Sequence, residues 1–450
     1  MSTVLDTRSF LRWCWRQLTS MRTALILLLL LAVAAIPGSL FPQRSQNPIQ
    51  VKQFFAENPE TAIWLDRLIL FNVFSSPWFS AIYLLLFISL IGCVLPRSIE
   101  HLKAIGAKPP LTPKYLDRME FYTEIKKIDL DKVEKFLRKK HFRIRRDENS
   151  ISAEKGYARE TGNLLFHLSL VLILLAVGIG SLLGSRGDAI VNVGDRFINT
   201  PTSYDILSFG KYQAEDSLPP FSLTVTDFKA EYDPVTNAAI DYELTVLTAN
   251  PAGSKEIKKI IKVNQPLAYG STKIYLQANG YSPIVIVRDK SGKIIFDGPT
   301  PFLPQDANLS SIGAIKIPDM DPQIGFVGSF LPTADRDPIR GGFSSYPEVL
   351  DPRLLVSIWK GDLGLNTGIP QSVYRIDTSK MERIGLKALV LNESYDFGEG
   401  SITFTGWKSW VNLQIVNDPG KGFALVGAIL AILGLLISLF TRQRRIWVKQ

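Results

Sequence analysis

Four long runs of apolar residues divide this 450-residue chain into alternating apolar and polar segments. Each run has 18 to 20 residues and contains no Asp, Glu, Lys or Arg. A helix that rises about 1.5 Å per residue needs about this length to cross the hydrocarbon core of a bilayer. The pattern therefore predicts four transmembrane helices, at 24–41, 78–95, 164–183 and 423–440.

The polar segments that flank these runs differ in charge in a regular way. Segments 1–23, 96–163 and 441–450 carry net charges of +3, +6 and +4, whereas 42–77 is neutral and 184–422 carries −4. Positive segments remain on the cytoplasmic side of a membrane. We therefore expect cytoplasmic or stromal termini and a cytoplasmic insert, with the other two segments in the opposite compartment. The formal charge of +9 then needs no nucleic-acid partner, because attraction to an anionic leaflet of the lipid bilayer explains it.

The long segment 184–422 has the pattern of a β-rich domain. Short runs of β-branched and aromatic residues alternate in it with Pro, Gly, Asn and Asp. The predicted strands are 221–228, 242–247, 257–263, 273–277, 284–288, 294–296, 354–359, 372–376, 386–391 and 401–407. The segment is long enough to bury a core without disulfides, and it contains neither cysteine nor histidine. The fold class expected is a multi-pass α-helical membrane protein with a large exported, sandwich-like β domain.

Two further expectations concern the connections of this domain. Stretches 298–304 and 318–332 are rich in Pro and Gly, which predicts long loops. Trp407 and Trp410 precede the last apolar run and suit the membrane–water interface, where amphipathic rings are enriched.

The insert 96–163 has the pattern of a small α/β unit. Residues 121–128 alternate like a strand, and 131–140 has apolar positions at helical spacing. Residues 142–146 and 150–154 flank a polar turn and predict a hairpin. The resulting order is β-α-β-β, and its basic residues at 138–146 are expected to form a solvated face beside the membrane.

Candidate chemistry reduces to one residue in the third apolar run. No nucleotide-binding, hydrolase or zinc-protease motif occurs, and the three histidines and two cysteines are too scattered for a zinc site. The chain is therefore not expected to be a stand-alone enzyme. His167 is the only histidine within the four runs, and an ionisable group at that depth indicates a functional site. Its imidazole could bond a neighbouring helix, relay protons or ligate haem iron.

Three glycines follow His167 along the same predicted helix, at Gly178, Gly180 and Gly184. Small residues of this kind let another helix pack closely. They also allow the close approach of a flat ligand.

Three short motifs lie at the ends of the apolar runs. Residues 21–43 open with Met-Arg-Thr-Ala and close with Ile-Pro-Gly-Ser-Leu-Phe-Pro-Gln, 162–167 read Gly-Asn-Leu-Leu-Phe-His, and 417–420 read Asn-Asp-Pro-Gly. These motifs resemble those of ResB/CcsB-type cytochrome c biogenesis proteins. The layout is similar as well, with three spans, a large exported domain and one further span.

The resemblance implies a membrane assembly factor for c-type cytochromes in a type II system. Such a factor handles haem b and delivers it across the membrane to apocytochromes c. It works as half of a haem-transport and cytochrome c synthase complex, with a CcsA/ResC-type membrane partner that supplies a Trp-rich segment absent from this chain. His167 would be the residue here that binds the transient haem and its iron, in a thylakoid or plasma membrane. The alternative is a non-catalytic scaffold or receptor whose exported β domain binds a protein partner.

Overall fold

A computed structural model describes residues 7–44, 48–126, 128–338, 341–365 and 372–450. The chain divides into two compact units, one of Met1–Gly178 with Gly420–Gln450 and one of Ile179–Pro419. The helices are α1 (Thr7–Leu18), α2 (Met21–Leu40), α3 (Pro48–Glu57), α4 (Pro59–Arg67), α5 (Pro77–Ile105), α6 (Leu130–Lys139), α7 (Ala158–Leu183) and α8 (Lys421–Phe440).

The four predicted membrane helices are confirmed as α2, α5, α7 and α8, each long and apolar enough to span a bilayer. α5 begins sharply because Ser76 caps it, accepting a hydrogen bond from the backbone N–H of Phe79, and Pro77 occupies the first turn. Its other end differs from the prediction. α5 continues through Pro96 to Ile105 and so carries a polar extension beyond the apolar run.

The first unit contains a three-stranded sheet of β1 (Arg143–Asp147), β2 (Ser150–Lys155) and β21 (Arg444–Lys449). The predicted helix of the insert and its hairpin are present as α6, β1 and β2. The predicted strand at 121–128 is wrong, because its described residues are irregular. The basic tail supplies the third strand instead: β21 pairs with β2 along its full length. Its Arg445 binds the buried carboxylate of Glu154 at 3.2 Å.

The second unit is built from strands. They are β3 (Ser185–Asn192), β4 (Arg196–Ile198), β5 (Ile206–Phe209), β6 (Ser222–Tyr232), β7 (Ala239–Ala249), β8 (Ile257–Lys262), β9 (Leu267–Tyr269), β10 (Thr272–Asp289), β11 (Ile294–Pro299), β12 (Leu303–Pro304), β13 (Ser311–Ile317), β14 (Ile324–Leu331), β15 (Ala334–Asp337), β16 (Gly341–Ser344), β17 (Arg353–Lys360), β18 (Glu382–Val390), β19 (Ser394–Asp396) and β20 (Gly400–Asn417).

Two antiparallel strands of 18 residues, β10 and β20, form the centre of this unit. One half of their sheet packs on the four-stranded sheet β4-β6-β7-β8 around a core that includes Leu223, Leu244 and Val411. The other half packs on the five-stranded sheet β12-β13-β14-β17-β18 around a core that includes Phe326 and Phe404. The β domain thus consists of two sandwiches that share one pair of strands.

Several local expectations for this unit are wrong. The predicted loop 318–332 contains β14, an interior strand of the five-stranded sheet. Its Gly328 suggested a loop, but a Cβ there would collide with the carbonyl oxygen of Leu355, so the glycine serves close strand packing. Residues 372–376 form no strand.

The prediction that Trp410 lies at the membrane–water interface is also wrong. It is a core residue, 2% exposed. Its indole N–H donates to the backbone carbonyls of Tyr281 and Phe302, both at 3.1 Å.

Candidate functional site

Two membrane helices of the first unit, α7 and α8, touch through their backbones. A Cβ built on Gly162 would lie 2.7 Å from the carbonyl oxygen of Gly434, and a Cβ on Gly434 would lie 2.6 Å from the amide nitrogen of Phe166. Further along, Gly427 lies against Ser169 in the same way. Glycines allow this close approach because they present no side chain. The contact fixes the rotation of α7 about its own axis.

His167 does not point along this contact. It is five residues after Gly162, which rotates its side chain by roughly 140° from the α8-facing line at 3.6 residues per turn. The side chain is half-buried. Its Nδ1 lies 2.8 Å from the carbonyl oxygen of Asn163, one turn earlier in α7. The ring of Phe166 meets the imidazole edge to face, with ring centroids 5.1 Å apart.

This hydrogen bond determines which nitrogen of His167 carries the proton. A backbone carbonyl can only accept, so Nδ1 donates and Nε2 keeps its lone pair. Among the residues that the structure describes, Nε2 has no hydrogen-bond partner and no bond joins His167 to a neighbouring helix. An imidazole held through one nitrogen, with the other bare, is the arrangement that metal-ligating histidines use.

A second histidine, which the sequence interpretation missed, lies on the polar extension of α5. His101 is 7% exposed, and its Nε2 lies 2.9 Å from the hydroxyl of Thr161 in α7. Its ring stacks on Tyr157 with centroids 5.1 Å apart and planes within 9°. Its Nδ1 lies 3.4 Å from a carboxylate oxygen of Glu160 but makes no hydrogen bond.

His101 borders a polar pocket of about 230 Å³ that is also lined by Arg97, Glu100, Glu160 and Asn163. Glu160 and Asn163 precede His167 by seven and four residues. All three therefore lie along one face of α7, with Glu160 and His167 roughly 10 Å apart along the axis. Two residues of α7 that line the pocket thus share a face of the helix with His167.

Tyr157 closes the stack beside this pocket from just outside α7. Burial raises the pKa of its hydroxyl, and the nearby carboxylates of Glu160 and Glu154 act in the same direction. The guanidinium of Arg143 lies over the ring of Tyr157, 5.2 Å from its centroid, and forms a cation–π contact. The phenol consequently stays neutral, and His101 rests on an uncharged ring.

Sequence reasoning missed His101 for an identifiable reason. The second apolar run ends at Leu95, and the Pro96 that follows ordinarily marks the end of a helix. The only available signal was the amphipathic pattern of the next ten residues.

The glycines after His167 have different surroundings. A Cβ on Gly180 would lie 2.5 Å from a carboxylate oxygen of Asp418, and one on Gly184 would lie 2.8 Å from the carbonyl oxygen of Asn417. A Cβ on Gly178 would meet nothing within 4 Å. Asn417 and Asp418 of the Asn-Asp-Pro-Gly motif thus pack closely against two of these glycines.

The sequence of this chain matches one known protein family over nearly its whole length. A sequence profile of the ResB-like family matches residues 21–450. The chain belongs to the ResB-like family. The match begins at α2 and includes the helix that carries His167.

Curated relatives of this ResB-like chain are named cytochrome c biogenesis protein CcsB. The relative from Microcystis aeruginosa is 25% identical over 96% of this chain and 88% of its own length. The relative from Thermosynechococcus vestitus is 25% identical over 96% of this chain and 87% of its own length. The relative from Prochlorococcus marinus (strain NATL1A) is 26% identical, and its match spans 62% of this chain and 63% of that relative, less than two thirds of each.

Proposed function

We propose that this protein takes part in the biogenesis of c-type cytochromes by handling haem b within the membrane. Membership of the ResB-like family and the shared name of its CcsB relatives support the role in biogenesis. The geometry of His167 supports the chemistry. Haem is the transported substrate in this proposal, and Nε2 of His167 is the atom that binds its iron.

The hydrogen bond from His167 to Asn163 is the observation that carries the proposal. It holds the ring through Nδ1, which lies 2.8 Å from the backbone carbonyl oxygen, and it leaves Nε2 with a free lone pair. No side-chain substitution removes a backbone acceptor. Backbone anchoring keeps the imidazole in one tautomer and one orientation. Haem iron binds such a neutral imidazole.

A second protein ligand for the haem iron would have to come from elsewhere. His101 is not suited, because its Nε2 is engaged by Thr161 and its Nδ1 faces the carboxylate of Glu160. We infer that a CcsA/ResC-type membrane protein supplies the missing ligand. The two chains together would deliver haem to apocytochrome c in the compartment that contains the exported β domain, on the far side of a thylakoid or plasma membrane.

The test is a haem spectrum of the complex purified with its partner, for His167→Ala and a matched control. His141→Asn removes the exposed histidine at φ 60°, and asparagine tolerates that left-handed conformation. We expect His167→Ala to lose or shift the Soret band and to lower holocytochrome, with partial recovery when imidazole is added. His141→Asn should leave both unchanged.

An unchanged Soret band and full cytochrome maturation in His167→Ala, with the partner still co-purifying, would contradict the haem role of this residue. That result would favour the second candidate function, a scaffold or receptor whose β domain binds a protein. Deletion of the whole chain separates the broader role from the haem chemistry. We expect covalent c-type haem to be lost while b-type cytochromes persist, and normal c-type cytochromes in the deletion would rule out an essential part in their biogenesis.

A further inference from the structure

The helix α1 precedes the family match, which begins at residue 21, and has no part in the proposed function. It contains three arginines and no acidic residue. Arg8, Arg12 and Arg16 recur every fourth residue, so their side chains share an arc of about 80° on the helix. Six apolar residues share an opposite arc of roughly 200° with Thr7 and Gln17. They are Phe10, Leu11, Trp13, Cys14, Trp15 and Leu18.

The apolar arc of α1 is not covered by the rest of the chain. Phe10, Leu11, Trp13 and Trp15 are 48% to 61% exposed, and the structure buries no residue of this helix. An exposed apolar face of this size beside a row of cations would be unfavourable in water. The two tryptophans lie at the two borders between the apolar and basic arcs. That is where an amphipathic ring sits when a helix lies at a membrane surface.

Contacts at the C-terminal end of α1 fix its position along the membrane helix α5, and so its depth in the bilayer. The hydroxyl of Ser89 donates to the carbonyl of Leu18 at 2.6 Å, and the thiol of Cys93 lies 2.6 Å from the carbonyl oxygen of Thr19. The indole of Trp15 packs on Gly92. Gly92 is three residues inside the apolar run of α5, which places this contact roughly 5 Å below the end of that run.

The next helix confirms that α1 stays close to the bilayer. α2 begins at Met21, with Ser20 as its cap. Only two residues therefore separate α1 from a membrane helix. A short amphipathic helix joined to one span and packed near the end of another has little freedom to leave the surface, and interfacial helices bury their apolar face by about 5–10 Å.

We propose that α1 lies in the plane of the membrane surface, with its apolar arc in the lipid and its three arginines on anionic lipid headgroups. The charge selects this occupant over a zwitterionic surface, because the three arginines of α1, a helix without an acidic residue, are attracted by a net negative leaflet and not by a neutral one. A partner protein covering the same arc is the competing occupant. The full chain, reconstituted alone in vesicles, distinguishes the two.

The first experiment measures the depth of the two arcs. An environment-sensitive fluorophore is attached to one cysteine at a time. The apolar arc is labelled at Cys14 in a chain with Cys93→Ser. The basic side is labelled at Ser9→Cys in a chain with Cys14→Ser and Cys93→Ser. The vesicles contain phosphatidylcholine and phosphatidylglycerol at three to one. We expect the probe at Cys14 to emit at shorter wavelength and to be quenched by acyl-chain nitroxides, and the probe at residue 9 to be quenched by aqueous iodide. Equal exposure of both probes to iodide would overturn the proposal.

The second experiment measures lipid preference. Quenching of the Cys14 probe by nitroxide-labelled phosphatidylglycerol is compared with quenching by the labelled zwitterionic lipid. Replacing all three arginines with Gln should lower the ratio of the two quenching efficiencies to that of a randomly mixed bilayer, because the cations that attract the anionic lipid are then gone. Replacement of all three with Lys should retain the enrichment.

The matched control removes three cations from the other unit: the exposed Lys255, Lys258 and Lys259 are all replaced with Gln. This control should not change the ratio. An unchanged ratio in the Arg→Gln chain, or an equal loss in the lysine control, would contradict a specific role of the arginine stripe. Loss of enrichment in the Arg→Lys chain would overturn the assignment of the lipid preference to cationic charge.

Discussion

At the scale of single residues, Gly280 and Trp410 pack against each other inside the β domain. They face each other across the central strand pair, and a Cβ on Gly280 would lie 2.5 Å from the indole ring. The ring cannot yield, because it is buried and its N–H is held by two backbone carbonyls. Sequence alone could not show this, since a tryptophan just before a membrane span is equally typical of the interface.

Gly280→Ala is predicted to destabilise the β domain by about 1–3 kcal/mol, the usual cost of inserting a methyl group into a filled core. The control is Gly298→Ala, at a strand position where a Cβ would meet nothing within 4 Å. Chemical denaturation of Ile179–Pro419 measures both variants, since this segment forms a compact unit with its own cores. Equal stability of the two variants would show that Trp410 yields after all.

At the scale of elements, two irregularities explain why the long strands β10 and β20 were predicted only as fragments. The pairing shifts register between Leu276 and Ala278 and again between Ile284 and Val285. The first bulge adds Gln277 to β10 and the second adds Thr405 to β20, so the alternation of inward and outward side chains shifts by one residue once in each strand. Ile274 and Val287 can therefore face cores on the same side of the sheet despite their even and odd numbers. A strict two-residue period ends at each bulge, so short strands were foreseeable and their continuity was not.

A second element-level feature is an ion-pair cluster at one end of the second sandwich. Glu399, in the turn before β20, binds Lys290 in the turn between β10 and β11 and Lys360 of β17, both at 2.5 Å. It thereby links the two sheets. Its hydrogen bonds with Lys290 and Lys360 lower its pKa from an ordinary 4.5 to about 2.

The depressed pKa predicts a pH dependence. Because the folded-state pKa of Glu399 is below its ordinary value, its stabilising effect is complete above pH 4.5 and is lost as the pH falls towards 2. Glu399→Gln should therefore lower the Tm at neutral pH and flatten its decline in this window. Glu231→Gln, an exposed carboxylate of the same unit, should leave the decline unchanged. If the Tm of Glu399→Gln declined with falling pH as steeply as that of the wild type, the ion pairs of Glu399 would not be the source of this pH dependence.

At the scale of the whole molecule, charge and hydropathy were enough to predict the layout. Four spans, a β-rich domain and a small α/β insert follow from the length of the apolar runs and the period of the strands. The candidate site was only half predictable. His167 is visible as a lone histidine in an apolar run, whereas the pocket beside His101 depends on a helix that continues past proline and on contacts between distant spans.

The orientation predicted from the basic segments has a direct test. In a chain with Cys14→Ser and Cys93→Ser, single cysteines replace Val235, which is 89% exposed in the β domain, or Lys132, on α6. We expect an impermeant maleimide to label position 235 in intact cells and position 132 only after permeabilisation. The reverse order of labelling would invert the topology.

The pairing of β21 with β2 has a consequence for biosynthesis. Arg445 and its partner Glu154 are separated by 291 residues, so the ribosome finishes the insert long before its last strand exists. At about 5–20 residues per second, translation of the intervening chain takes roughly 15–60 s. During that interval the edge of β2 is open and the carboxylate of Glu154 lacks its cation, which is the condition in which strand edges recruit the wrong partner. Insertion of α8 into the membrane brings the missing strand back to the insert and so ends this vulnerable period.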